Sequence, residues 1–196
     1  VVDFTPEPLT QDVSFVFHIE KTADVVVDSL TAEISGIPST MELTTGLILA
    51  QKTYKLLFRP TYAALPSAAD SASAEALRCE ASVNIPEIVR SHTEDMVTGP
   101  GILQIAIYTH YDYEEEGTQR KAAKVFHAGI NLYHTLKERK SLQWDEEENG
   151  YRQASRSITV EIGSPLNIDK DGILNGGSTS TGLDQWIPGE TFEIEV

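Results

Sequence analysis

Five histidines, His18, His92, His110, His127 and His134, and a single cysteine, Cys79, are the side chains best suited to nucleophilic or metal chemistry, and they are scattered along the chain. No two histidines share the short spacing that binds zinc on one helix face. Cys79 has no second sulfur for a disulfide or a metal cage. No Gly-x-Ser-x-Gly elbow and no phosphate loop occur. Asp169-Lys170-Asp171-Gly172 sets alternate carboxylates beside a glycine, a pattern able to hold calcium. The fifth position of an EF-hand loop is Ile173 here and the twelfth is Ser180, so a plain Asp-Gly turn is the simpler reading. The runs Glu114-Glu115-Glu116 and Asp145-Glu146-Glu147-Glu148 could supply the paired acids of a glycosidase. Consecutive acids at hairpin tips read more simply as solvated charge. Tyr108, Trp144, Tyr151 and Trp186 could stack on a sugar ring or a partner surface, and they are the candidate contact residues. No catalytic residue, cofactor site or metal site is assigned.

The elements that must position these side chains are strands. Val13, Phe15, Phe17 and Ile19 alternate with Ser14, Val16, His18 and Glu20, and Leu103 to Tyr111 repeats the pattern. Side chains alternate across a strand with period two, so each segment offers one face to a core. Further strands are expected at 25–34, with Leu30, Ala32 and Ile34 on one face, and at 41–43, 53–58, 77–84, 122–128, 158–162 and 192–196. Ser35-Gly36-Ile37-Pro38 reads as a turn and 63–76 as a surface loop with one helical turn at most. Glu114–Gly117 reads as a hairpin tip, and Asn149-Gly150 as the tight turn of another. Residues 130–138 fit a strand or a helix. Cys79 shares a face with Leu77, Ala81 and Val83, which makes it a small core residue. With no βαβ alternation, the expected fold is an all-β two-sheet sandwich of Greek-key type, immunoglobulin-like or transthyretin-like. Residues 1–12, with Thr5-Pro6-Glu7-Pro8, form an extended entry linker, and 13–196 form a single domain.

The chain has 196 residues, enough to bury a core without staples. Its 15 basic and 30 acidic residues leave a net charge of −15. That balance argues against nucleic acid and anionic lipid as partners, because both need clustered Lys and Arg. No apolar stretch reaches transmembrane length.

Three stretches carry a family resemblance. Ala32-Glu33-Ile34-Ser35-Gly36-Ile37-Pro38 with Met41-Glu42-Leu43 resembles the strand, Ser-Gly turn and strand of fimbrillin-like proteins. Gly176-Gly177, Leu183-Asp184-Gln185-Trp186 and the alternating Thr191–Val196 resemble their closing hairpin. Pro6-Glu7-Pro8-Leu9, leading into Val13–Ile19, resembles the join between their two domains. The resemblance touches both ends of the chain and leaves the middle uncovered. It implies a C-terminal transthyretin-like domain of an exported surface protein, a stalk, tip or anchor component of a type V pilus. It also implies an extracellular, outer-membrane location, with membrane contact only through a lipid anchor upstream, and no catalytic residues. The expected function is therefore a non-catalytic structural or adhesive one. A carbohydrate-binding surface lipoprotein is the first alternative and a glycoside-acting hydrolase the second. Partners would be other pilus subunits, surface ligands or a glycan. Strand addition suits such a protein, since a sandwich edge carries unpaired backbone groups. Segments 1–12 and 190–196 are the natural places for it, and deleting 190–196 is expected to destroy folding or assembly if that segment pairs in the sheet.

Overall fold

A computed structural model describes residues 8–65, 74–93, 96, 98–174 and 186–195. In chain order the strands are β1 (Gln11–Thr22), β2 (Val25–Met41), β3 (Ile48–Phe58), β4 (Thr61–Ala64), β5 (Ala74–Ile85), β6 (Ile102–Glu115) and β7 (Thr118–Asn131). A short helix, α1 (Tyr133–Arg139), precedes β8 (Leu142–Asp145), β9 (Gly150–Gln153), β10 (Ser157–Glu161), β11 (Leu166–Ile168), β12 (Ile173–Leu174) and β13 (Ile187–Glu195). They build two packed sheets. The first runs β12-β11-β1-β5-β4, with β10 also paired to β1, and the second runs β13-β7-β6-β2-β3-β9-β8. The molecule is the all-β, two-sheet sandwich that the alternation predicts.

Period-two alternation places the core. Val13, Phe15, Phe17 and Ile19 on β1 are fully buried and meet Leu103, Ile105 and Ile107 of β6 and Phe126 of β7 in one apolar cluster. Each such side chain contributes about 2–3 kcal/mol through the apolar surface that it removes from water. β1 is the centre of its sheet. One side pairs antiparallel with β5 from Gln11 to Thr22, and the other pairs parallel with β10 and then β11. Parallel neighbours need a long crossover, which the intervening strands provide.

β2 is longer than its sequence suggests because it is bulged. Val25 and Val27 face the core, then Leu30, Ala32 and Ile34 do, so the phase slips by one residue at Asp28. An extra residue in one strand bends it and re-aims its side chains. The bulge is pinned from the opposite sheet, where the Tyr62 hydroxyl donates to the carbonyls of Val27 (2.8 Å) and Asp28 (3.1 Å). Asp28 Oδ1 also meets His110 Nδ1 at 2.8 Å.

Ser35-Gly36-Ile37-Pro38 is not a turn, contrary to expectation. β2 continues through it with a second irregularity against β3 between Ile34 and Ile37. Gly36 takes φ +86°, and an added Cβ would lie 2.5 Å from the Val89 carbonyl and 2.6 Å from the Gly101 amide. Only glycine lets these backbones approach so closely. Its carbonyl accepts from Val89 N–H (2.8 Å), while the Ser35 hydroxyl bonds the Gly99 carbonyl and accepts from Ile102 N–H (3.0 Å).

Other expectations shift as well. Met41 closes β2, and Thr40 and Met41 pair with Leu49 and Ile48, so Met41-Glu42-Leu43 is a strand end entering a turn. The loop expected at 63–76 yields to β4 and the start of β5, while 66–73 lie outside the described residues. β7 runs to Asn131, after which Leu132 and Leu136, four apart, bury one face of α1 and settle the open segment as helix from Tyr133. Asn131 Oδ1 accepts the Tyr133 N–H at 2.9 Å in a turn just before the helix, whose N-cap Leu132 makes no side-chain cap bond, and Lys140 ends the helix in the left-handed region. Gly176-Gly177 and Leu183-Asp184-Gln185 lie outside the described residues.

Candidate functional site

The chemically suggestive groups are engaged in structure. Asp169 Oδ1 accepts the N–H groups of Asp171 (2.7 Å) and Gly172 (2.8 Å), which is the Asp-Gly turn between β11 and β12. Glu114–Glu116 form the exposed β6–β7 tip, with Glu115 paired to Arg120 at 3.0 Å. In the second acidic run, Asp145 Oδ1 accepts from Glu147 and Glu148 N–H and Oδ2 meets Arg152 Nε at 2.6 Å. The Glu148 N–H and the Arg152 guanidinium hold the Asp145 carboxyl below its usual range. Cys79 is fully buried on the face shared with Leu77, and burial pushes its thiol up to about 12.

The four candidate contact residues do not form one site. Trp144 and Tyr151 are cross-strand partners on the β8–β9 hairpin, their rings edge to face with centroids 5.0 Å apart. Tyr108 stands opposite Ser29 on β2, whereas Tyr151 stands opposite Ile48, whose partner is Met41. Ser29 and Met41 lie at opposite ends of β2, on the order of 35 Å apart at strand rise. Trp186 is no surface platform, which corrects its assignment. It is 5 % exposed, its indole N–H donates to the Ser164 carbonyl at 2.8 Å, and its ring meets Phe17 edge-on at 5.7 Å. Buried indole satisfies its one polar atom in this way.

Trp186 instead roots the strand that follows it. β13 leaves this anchor and pairs antiparallel with β7 as the edge of the seven-stranded sheet. From Ile187 to Glu193 its side chains are exposed, including Ile187 and the half-exposed Phe192, and none belongs to the apolar core. The pairing slips between Pro188 and Thr191. One link fastens the strand from inside: Lys124 of β7, 7 % exposed, meets Glu193 at 2.9 Å and donates to the Lys170 carbonyl at 2.6 Å. Burial opposes the ammonium charge, but the bond to Glu193 and the nearby Tyr111 outweigh it and raise the Lys124 pKa.

Beside this edge, the outer face of the sheet carries an aromatic row. Tyr108, Val125 and Phe192 are successive partners across β6, β7 and β13. Val125 points outward yet is only 7 % exposed, as expected where two aromatic neighbours flank it. His127 meets the Phe192 ring edge-on at 5.6 Å. Further along, Gln104, Gly129 and Ile187 form a parallel row, and the missing side chain at Gly129 leaves a pit of about 200 Å³ that His127 helps to wall. Of the sequence candidates only Tyr108 belongs here. Phe192, Val125 and Ile187 carry no sequence signal beyond the apolar alternation of their strands.

No protein-family model, curated protein or solved structure matches this chain.

Proposed function

We propose that this protein is a non-catalytic structural or adhesive component of the cell surface, a fimbrial-type subunit or anchor whose assembly uses the β13 edge. The resemblance at both chain ends supports an exported sandwich of this kind. The observation that carries the reading is the attachment of β13. Its described side chains from Ile187 to Glu193 lie outside the core, so the strand is held by its ladder to β7, by the Lys124–Glu193 link and by the surface contact of Phe192 with His127. A strand from another copy can form the same ladder, so exchange costs no apolar burial. Trp186 keeps the root fixed in the core while the strand beyond it is replaced. The carbohydrate-binding alternative draws less support. Trp144 and Tyr151 meet edge to face and not side by side, Tyr108 stands at the other end of the sheet, and Trp186 is buried.

The test is a chain shortened after Trp186. Because the core stays complete, it should unfold cooperatively and bind a labelled peptide of sequence Ile187–Val196, read by fluorescence anisotropy, while the full chain binds that peptide at least tenfold more weakly. A shortened chain that is folded but takes up no peptide overturns the assembly reading. A shortened chain that cannot fold overturns the claim that β13 is held by its ladder.

A further inference from the structure

Glu87 is the most unusual ionisable group in the molecule. It follows β5 in the segment Pro86-Glu87-Ile88 and is wholly buried. Oε1 accepts the Ile88 N–H at 2.9 Å, while Oε2 is buried with no hydrogen-bond partner among the described residues. Gln11, at the start of β1 and 1 % exposed, faces the carboxyl with neither amide atom completing a hydrogen bond. Ser141, in the link from α1 to β8 and 6 % exposed, is the third polar neighbour. A carboxylate in such a place lacks both water and a counter-charge, which is costly, whereas a neutral acid fits.

Several charged groups on the surrounding elements are engaged elsewhere. Asp12 of β1 accepts from Asn84 at 2.8 Å. Arg152 of β9 is held by Asp145, the Thr45 carbonyl and Glu148. On the segment after Glu87, Arg90 lies over the Tyr133 ring, and His134 of α1 packs edge-on against the same ring. The groups that face Glu87 are therefore an amide N–H, a carboxamide and a hydroxyl.

The same spot fastens the β8–β9 hairpin. The pairing of β9 to β3 is a single residue pair, Ile48 with Tyr151. Among the described residues the hairpin is also held by Arg152 to the Thr45 carbonyl, Gln153 Nε2 to the Pro86 carbonyl at 2.8 Å, and the Ala154 N–H to the Ser141 carbonyl at 3.1 Å. Two of these end on residues adjoining or contacting the Glu87 carboxyl.

We infer that Glu87 is a proton-operated latch: as the neutral acid it stays buried and keeps the β8–β9 hairpin, with Trp144 and Tyr151, docked on the β1–β5 end of the sandwich, and as the carboxylate it swings to water and frees the hairpin. Burial places its pKa at about 7, against 4.5 for the exposed group. A raised carboxyl pKa favours the closed form at low pH. Opening therefore becomes easier as pH rises from 4.5 towards 7, by up to tenfold per pH unit, and levels off above 7 once the closed form also loses its proton. The inference is independent of whether β13 is exchanged.

Amide hydrogen exchange on the full chain tests it. The protection factor of the Ala154 amide, corrected for intrinsic exchange, should fall with pH over that window and stay below those of the core amides of Phe15 and Ile107 throughout, because the hairpin opens without global unfolding. In Glu87→Gln the Ala154 protection should lose its pH dependence. A flat profile in the native protein, the same slope in Glu87→Gln, or Ala154 protection equal to that of Phe15 and Ile107 overturns the latch. Should Glu87→Gln not fold, the carboxyl carbon shift of Glu87 in the native protein decides. A midpoint near 7 supports the latch, and one near 4.5 overturns it.

Discussion

At the scale of residues, Gly36 shows how one missing Cβ can hold a fold together. The chain passes it with φ +86° while two other backbones occupy the space that a Cβ would need. Alanine there meets both a left-handed backbone penalty of about 1–2 kcal/mol and a clash that side-chain rotation cannot relieve. Gly46 (φ +70°) and Gly117 (φ +77°) share the backbone conformation, but an added methyl at either would have nothing within 4 Å. Gly36→Ala should accordingly lose about 4 kcal/mol or more, and Gly46→Ala or Gly117→Ala only about 1–2 kcal/mol, by urea unfolding. Equal losses at the three sites would show that the packing of residues 89 and 101 on Gly36 contributes nothing.

At the scale of elements, β2 is the strand whose geometry decides register. Asp28 is the residue that shifts Val25 and Val27 into phase with Leu30, Ala32 and Ile34. Removing Asp28 altogether forces a choice between the two halves, because a one-residue slip turns every side chain over. Two buried valines then face water, so the deletion should cost about 3–5 kcal/mol in a denaturant titration. Asp28→Ala, which removes only the partly exposed pair with His110, should cost under about 1 kcal/mol. A deletion as mild as the substitution would mean that the bulge does not set the phase. The same bulge explains what the sequence could show. β1 and β6 alternate without interruption and were legible as strands with their buried faces named. β2 alternates in two phases and then passes Gly36, which reads as a strand that stops. Leu132 and Leu136 suit either a helix or a strand until the end of β7 is fixed. The candidate site was less legible still. Trp186, two residues before Pro188, gives no sign in the sequence of whether it is covered, and Glu87 shows only as one acid among Ile85, Ile88 and Val89. Phe192 and Ile187 belong to a strand whose side chains from Ile187 to Glu193 all lie beyond the core, so alternation locates the strand without saying that it is peripheral.

At the scale of the whole molecule, the charge of −15 acts on the compact state as a self-repulsion that salt can screen. At pH 8, raising sodium chloride from 20 to 500 mM, about a fivefold drop in Debye length, should stabilise the fold by about 1 kcal/mol and raise its Tm by roughly 3 °C. A Tm that falls with salt would mean that attractive pairs such as Lys124–Glu193 outweigh the general repulsion. The pairing of β1 reaches further. Its two neighbours come from residues 74–85 on one side and 157–168 on the other. A chain leaving the ribosome therefore exposes an incomplete central strand until residues 157–168 have emerged. Contacts this distant in sequence make for slow, late folding and a prolonged unfolded interval. During that interval the nascent polypeptide is open to chaperones and to proteolytic cleavage.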